Sequence, residues 1–350
     1  MQPASFVHAH AAHADWRIAL AQAVSQIQAD ITARSAQQGR AAEYTLGFCY
    51  LTDYYAAHAE AIVDALHAQL PGVAWVGTVG IGVSAGGTEY IDEPALALMI
   101  APLARDAFRL FSGLQPLSSA PAQFVAHTAL VHAEASTPDV QELLEELATR
   151  TATGYLFGGL ASSRTRTLHI ADHVLEGGLS GVAFGAEVEL ISRVTQGCQP
   201  IGPARTITAG EGNYVITLDD RAALDCVLDD LHLDAALEDD ELAEALSGTL
   251  VGLSCDDEDM PALPGQFGTD TIVRHLVGVD PLHRVLAIAD QVDPGRRLAF
   301  CTRNAIAAQA DLERIATEVR REAEARAGAR MAGALYVSCS GRGGPHFGAR

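Results

Sequence analysis

Residues 154–218 break into short β-rich runs (155–160, 168–170, 173–175, 181–184, 188–194, 205–208 and 213–218) punctuated by glycine. Short strands at this spacing predict antiparallel meanders. Around them the texture is mixed. Apolar residues at helical spacing predict a helix over 15–38 with Asp15 as N-cap. A second helix runs on from Asp53 and is stopped by Pro71-Gly72. Further helices are expected at 139–150, 221–231, 239–247 and 304–330, and further strands at 44–51, 73–79, 95–101, 107–111, 124–132, 249–253, 271–277, 285–288, 298–302 and 334–338. The fold class that follows is α+β, with packed, mostly antiparallel or mixed sheets covered by helices, in two halves. Residues 219–259 carry 15 acidic residues against one basic residue, Arg221, and mark the expected border. The expected domains are therefore 1–220 and 221–350.

With 350 residues, of which 49% are hydrophobic and 19% charged, the chain has material for a sizeable core and for two domains. Its formal charge, 23 − 44 = −21, argues against nucleic acid and against anionic membrane surfaces, both of which need a basic face. All 23 basic residues are arginine. Without lysine there is no Walker A, Schiff-base or kinase-strand lysine, which excludes those chemistries. The six cysteines (Cys49, Cys198, Cys226, Cys255, Cys301, Cys339) are scattered and contain no C-x-x-C pair, so reduced thiols are expected and not zinc ribbons or a disulfide framework. No secretory leader is visible, and no apolar run reaches about 18 residues. The expected location is the cytoplasm.

Several motifs lack the context their chemistry requires. Residues 80–85 fit a dinucleotide fingerprint ending in Ala85, and 82–86 fit the G-x-S-x-G nucleophile elbow around Ser84. Both need a helix directly after the turn, which Gly86, Gly87 and Pro94 oppose. A hydrolase centred on Ser84 or Cys198 is a lesser alternative, and the expectation is that the chain is not an enzyme. His8, His10 and His13 are read as exposed histidines near the terminus. His169-x-x-Asp172-His173 falls short of the H-x-H-x-D-H metal pattern, because Leu168 and Ile170 stand where histidines are needed. No metal site is expected.

Three segments combine glycines with small polar residues at strand ends, where backbone can approach a ligand closely. The first, 154–163, offers Gly158, Gly159 and Ser162. The second, 196–203, offers Gln196 and Cys198. The third, 338–345, offers Cys339, Ser340, Arg342 and Gly343. These nine residues are the candidate ligand-binding set, with Arg342 the expected partner of an anionic group. One pocket shared by all three segments, between the halves, is the expected arrangement.

The motifs F-G-G-L-A-S-S (157–163), V-x-Q-G-C-x-P-I-G-P (194–203), E-G-N (211–213) and S-C-x-G-R-G (338–343) resemble those of the FIST family, named for F-box and intracellular signal transduction. The runs from Val76-Gly77 to Gly87, Glu93-Pro94-Ala95-Leu96 and L-V-G-V-D-P (276–281) extend the resemblance over essentially the whole chain, in the expected order. It implies a sensory module of FIST N and FIST C halves that binds a small molecule, such as an amino acid or another small anionic metabolite, and acts through a separate signalling protein. Some bacterial members are haem-binding nitric-oxide sensors that regulate histidine kinases or cyclic-dinucleotide enzymes. Haem and those partners are therefore the alternative to a cofactor-free sensor. A eukaryotic branch joins the module to an F-box, for which this chain has no room, so a stand-alone sensor is expected. The chain stops soon after S-C-x-G-R-G, where many members run on. The resemblance supplies no catalytic residues.

Overall fold

A computed structural model describes residues 5–39, 42–118, 124–195, 197–233, 242, 246, 248–254, 271–326 and 330–342. The chain is α+β and divides into two compact units, Met1–Ser192 with Ala323–Arg350, and Arg193–Glu322. The expected helix over 239–247 lies largely outside the described residues.

The first unit opens with β1 (Val7–Ala12), α1 (Trp16–Gln38), β2 (Leu46–Thr52), α2 (Ala59–Gln69) and β3 (Ala74–Gly80). A hairpin of β4 (Gly82–Ala85) and β5 (Thr88–Ile91) follows, then β6 (Ala95–Ala101), β7 (Phe108–Ser112), β8 (Thr128–Ala133), α3 (Val140–Thr149), β9 (Leu156–Leu160), β10 (Leu168–Ala171), β11 (His173–Glu176) and β12 (Leu179–Phe184). One sheet runs β1-β6-β2-β3-β10-β11 and a second β7-β12-β8-β9. Every pairing in them is antiparallel except β2–β3 and β8–β9. Each of those parallel pairs is bridged by a helix, α2 or α3, as parallel neighbours require.

The helices start and stop for local reasons. The Asp15 carboxylate accepts the Arg17 N–H at 2.9 Å and caps α1, which ends at Gly39 in the left-handed region (φ 67°). Trp16, Ala19, Leu20, Ala23, Val24 and Ile27 form the buried stripe of α1, at the spacing that faces one side of a helix. That stripe and α2 cover the first sheet through Leu51, Trp75, Val79, Leu98 and Ile100. On its other face Leu46, Phe48 and Val76 meet Phe108, Leu130, Val182 and Phe184 of the second sheet. The far side of the second sheet packs Ala129, Val131 and Ala183 with Leu147 of α3. The unit thus stacks helix, sheet, sheet, helix.

The second unit comprises β13 (Cys198–Pro200), β14 (Arg205–Glu211), β15 (Tyr214–Leu218), β16 (Arg221–Ala222), α4 (Ala223–Leu231), β17 (Thr249–Ser254), β18 (Thr271–Asp280), β19 (Val285–Ile288), β20 (Arg297–Arg303) and most of α5 (Ala305–Ala325). Its strands pair in the order β13-β20-β14-β15-β19-β18-β17, and β17 also pairs β20. The ring β20-β14-β15-β19-β18-β17 therefore closes into a small antiparallel barrel, an arrangement that leaves none of its members as a free edge. Leu224, Val227 and Leu228 of α4 pack with Ile207, Val215, Val251, Leu286 and Phe300 of the barrel. On α5, Arg314 pairs with Asp311 one turn before it and with Glu318 one turn after it.

Two expected strands are not strands. Residues 188–194 and 334–338 carry strand-like apolar residues, but neither joins a ladder, and Val194, Tyr336 and Val337 are exposed. A strand needs a paired neighbour, and the apolar pattern alone does not supply one.

Candidate functional site

A cavity of about 180 Å³ opens in the first unit, and all its lining residues belong to that unit. It lies where the carboxyl ends of both parallel pairs come together. Tyr50 and Leu51 of β2, Thr78 to Gly80 of β3, His132 of β8, and Gly159 and Leu160 of β9 line it. Crevices at the carboxyl ends of parallel strands are the usual ligand sites of such sheets. The β4–β5 hairpin forms one wall through Ile81, Val83, Ser84 and Ile91, and residues Leu335 to Ser340 form the roof.

The floor is a buried polar layer between the two sheets. Residues 46, 48 and 50 of β2 alternate toward the second sheet, as do 130 and 132 of β8, so Tyr50 and His132 face each other. The Tyr50 hydroxyl and His132 Nε2 are 3.1 Å apart, and their rings meet edge to face at 5.6 Å. Thr78 donates its hydroxyl to the Leu168 carbonyl at 3.0 Å and lies 3.3 Å from His169 Nδ1. Burial, reinforced by the neighbouring His169, pushes His132 down to about 3; burial pushes His169 down to about 4. Both imidazoles are therefore neutral near pH 7. Burial also raises the Tyr50 phenol, which stays protonated. A neutral imidazole has one donor and one acceptor nitrogen. Among the described residues, His132 Nδ1, His169 Nε2 and Ser180 Oγ are buried and find no hydrogen-bond partner.

An ion-pair clamp holds one wall in place. Asp53 follows β2 directly, and its carboxylate accepts Arg164 Nε and Nη2, both at 2.8 Å, and the Arg164 backbone N–H at 3.0 Å. Arg164 also bonds Asp92. The Arg164 hydrogen bonds hold Asp53 below the ordinary carboxylate range. Bidentate pairing of this kind fixes orientation as well as charge, and here it ties the 161–163 loop, with Ser162, to the end of β2.

The candidate residues fall in different places. Gly159, Ser162, Cys339 and Ser340 line the cavity, so the first and third segments, distant in sequence, meet there. Gly158 is on β9 beside it. Its φ of 134° and the closeness of the Val131 carbonyl, into which a Cβ would project, make glycine a requirement of the β8–β9 pairing. Cys198 belongs to the second unit, in β13 opposite Arg303 of β20. Its thiol neighbours that of Cys301, whose pKa is raised by this contact and by burial. In the same segment Gly202 leaves space for the Asp230 carboxylate, which pairs bidentately with Arg205 at 2.6 and 2.7 Å. Gln196, Gly343 and the side chain of Arg342 lie outside the described residues. The backbone of Arg342 ends the short helical turn Ser340–Arg342.

The other motifs resolve into ordinary structure. The G-x-S-x-G segment is the β4–β5 hairpin, turning at Gly86 and Gly87, with a strand where a nucleophile elbow requires a helix. His169 and His173 sit on different strands of a hairpin turned at Asp172, so they do not share one strand face as a single run would. His10 Nδ1 is 2.6 Å from the Tyr90 hydroxyl. No cluster of three or more His, Cys, Asp or Glu side chains suited to a metal occurs among the described residues. The floor residues Tyr50, Thr78 and His132 carry no motif. Their one signal in the sequence is a polar side chain inside an apolar strand run, F-C-Y-L-T, W-V-G-T-V or T-A-L-V-H-A.

Comparison with known proteins gives the chain its relatives. The FIST N domain model matches residues 45–221 and the FIST C domain model residues 223–350. The uncharacterized protein Rv0628c of Mycobacterium tuberculosis is 31% identical over 315 residues, covering 83% of this chain and 76% of its own length. The uncharacterized protein Mb0898c of Mycobacterium bovis is 30% identical over 315 residues, with the same coverage.

Proposed function

The chain belongs to the FIST family, whose domains are associated with sensing in signal transduction, and on that premise we propose that it is a non-enzymatic sensor that takes a small ligand into the cavity of its first unit. The observation that carries this reading is the convergence of the 159–162 and 338–340 segments over the carboxyl ends of β2, β3, β8 and β9. Apolar walls with a few placed hydroxyls are what a small-molecule site requires. The signal passes to a separate partner, for which the family suggests a histidine kinase or a cyclic-dinucleotide enzyme. A cytoplasmic site of action goes with the reduced state of Cys49, Cys198, Cys226, Cys301 and Cys339, none of which forms a disulfide among the described residues. No helix among the described residues is long and apolar enough to cross a membrane.

Haem fits this cavity poorly. Its volume of about 180 Å³ is nearer to a benzene-sized cavity of ~150 Å³ than to the ~300–1,000 Å³ of pockets for larger ligands. The histidine that lines it has its Nε2 engaged by Tyr50. Purified protein is expected to show no Soret band after incubation with haemin. A thermal-shift screen of small metabolites tests the sensor reading. A ligand at a hundred times its Kd adds about 2.7 kcal/mol of stability. Hits should stabilise the wild type and leave Leu335→Trp, in which a larger roof side chain fills the cavity, unchanged. A screen without such hits contradicts the proposal.

A further inference from the structure

We propose that Cys198 and Cys301 are a hydroperoxide-reactive thiol pair, with Cys198 the attacking sulfur, Cys301 the resolving one, and a disulfide between β13 and β20 as the product. This site belongs to the second unit and stands apart from the reading of the cavity.

Strand register places the pair. β13 and β20 run antiparallel, with Cys198 opposite Arg303 and Pro200 opposite Cys301. Residues two apart on a strand share a face, so Cys198, Arg303 and Cys301 share one, with the two thiols on the diagonal. That face is the one away from Leu298 and Phe300, which point into the barrel core. Cys301 is buried and Cys198 only partly so. The Cys301 thiol bonds the Cys198 sulfur, and this bond, with burial, raises its pKa and keeps it protonated.

The surroundings of Cys198 suit a thiolate. Arg303 stands across the ladder from it. The next residue, Asn304, opens α5: its carbonyl accepts the Ala308 N–H at 2.8 Å and its side chain accepts the Ala307 N–H at 3.0 Å. Asn304 also donates its backbone N–H to the Gly197 carbonyl at 3.4 Å and its side-chain amide to Gln199 at 3.0 Å. The start of a 21-residue helix is thereby tied to the residues on both sides of Cys198. An arginine and a helix N-terminus both favour a thiolate, the form that attacks peroxides. Cys49 and Cys226 have the opposite setting, where burial raises the thiol, to about 12 for Cys49.

The chemistry needs one molecule of a hydroperoxide. The Cys198 thiolate attacks a peroxide oxygen and the O–O bond breaks. The leaving oxygen takes a proton and departs as water or an alcohol, and Cys198 becomes a sulfenic acid, oxidised by two electrons. Cys301 then gives up its proton as its sulfur attacks Cys198. The S–O bond breaks, the hydroxyl leaves as water with that proton, and the disulfide forms. It joins β13, which is held to β20 by three residue pairs, covalently to the barrel. A dithiol reverses the step.

The test exposes the full chain at pH 7 to hydrogen peroxide or cumene hydroperoxide, alkylates the remaining thiols and digests with trypsin. Cleavage at arginine puts each cysteine alone in its peptide, 194–205 and 298–303. The expected product is these two peptides joined, two hydrogens lighter than their sum and separated by dithiothreitol. In Cys301→Ser, dimedone should trap a sulfenic acid on Cys198, and Arg303→Gln should slow that trapping at least about fivefold. Absence of the joined pair from the oxidised wild type would overturn the proposal, whether or not the variants fold. So would dimedone labelling of Cys198 no faster than that of Cys339, an exposed thiol in the same chain.

Discussion

The floor and the roof of the cavity are built on opposite principles. Tyr50, Thr78 and His132 sit on paired strands, each bonded or bordered by a residue of another strand. Leu335 to Ser340 reach the same space with no ladder, and Leu335, Tyr336 and Val337 are 37%, 51% and 52% exposed. One backbone bond, from the Phe6 N–H to the Ala332 carbonyl at 2.9 Å, ties the chain leading to the roof to β1's end of the unit, and Val337 packs beside Gly159. Fold stability and ligand response can be separated on this basis. Stability is concentrated in the floor, because buried polar groups with lost partners are costly, while the roof contributes contact area that a ligand would feel and the fold hardly would.

The largest effect should come from the strand beneath the site. Gly158→Val would drive a branched Cβ into the Val131 carbonyl at a φ of 134°. Backbone strain together with overpacking predicts a loss of more than ~3 kcal/mol, measurable by urea denaturation. A near-native midpoint would show that β9 is as adaptable as the roof and would erase the contrast.

Next in size is an acid effect carried by the floor histidines. His132 and His169 are held at about 3 and about 4, below the ordinary 6.5, so the unfolded chain binds their protons first. Their contribution to stability is complete above pH 6.5 and is lost as pH falls toward 4, at up to ~1.4 kcal/mol per pH unit for each histidine. Urea midpoints between pH 7 and 4.5 should fall along this window, and less steeply in His132→Asn. An identical slope in the variant would mean that His132 is not the sensitive group.

Tyr50→Phe keeps the ring and removes the hydroxyl from His132 Nε2. The expected cost is about 1–2 kcal/mol, since a buried ring nitrogen is left unpaired, again read from the urea midpoint. The smallest effect belongs to the roof. Tyr336→Ala should change folding stability by no more than ~0.5 kcal/mol, as exposed positions do, yet weaken ligand binding in a titration. A roof variant that destabilised the fold as much as Tyr50→Phe would show that the segment is integral to the core.

How much of this could be read beforehand differs element by element. α1 was legible because its signals are local: Asp15 at one end, Gly39 at the other, and an apolar stripe between. The short strands of 154–218 were legible in number but not in fate. Runs 205–208 and 213–218 entered the closed barrel, while 188–194 entered no ladder, because pairing depends on a partner elsewhere in the chain. The site was half legible. Gly159, Ser162, Cys339 and Ser340 stood out as small residues at strand ends, and they do share a space. Tyr50, Thr78 and His132 did not stand out, since one polar residue in an apolar strand gives no hint of what faces it across the sheets.

The sequence by itself determined the α+β class, the two ends of α1, the family and the absence of any lysine-dependent chemistry. Each of these follows from composition, from residues within a few positions of one another, or from motifs kept in order along the chain. Asp53, expected to cap the second helix, sits instead in a short helical turn before it, and α2 starts only at Ala59. Tertiary structure alone decided that two parallel pairs, each formed around its own helix, would aim their carboxyl ends at one cavity, and that a segment near residue 340 would cover it. It also decided the protonation state of the cavity's histidine. A side chain's ionisation depends on the groups packed around it from distant strands, and His132, which in an open chain would titrate at ordinary pH, is kept neutral by burial near His169 between the two sheets.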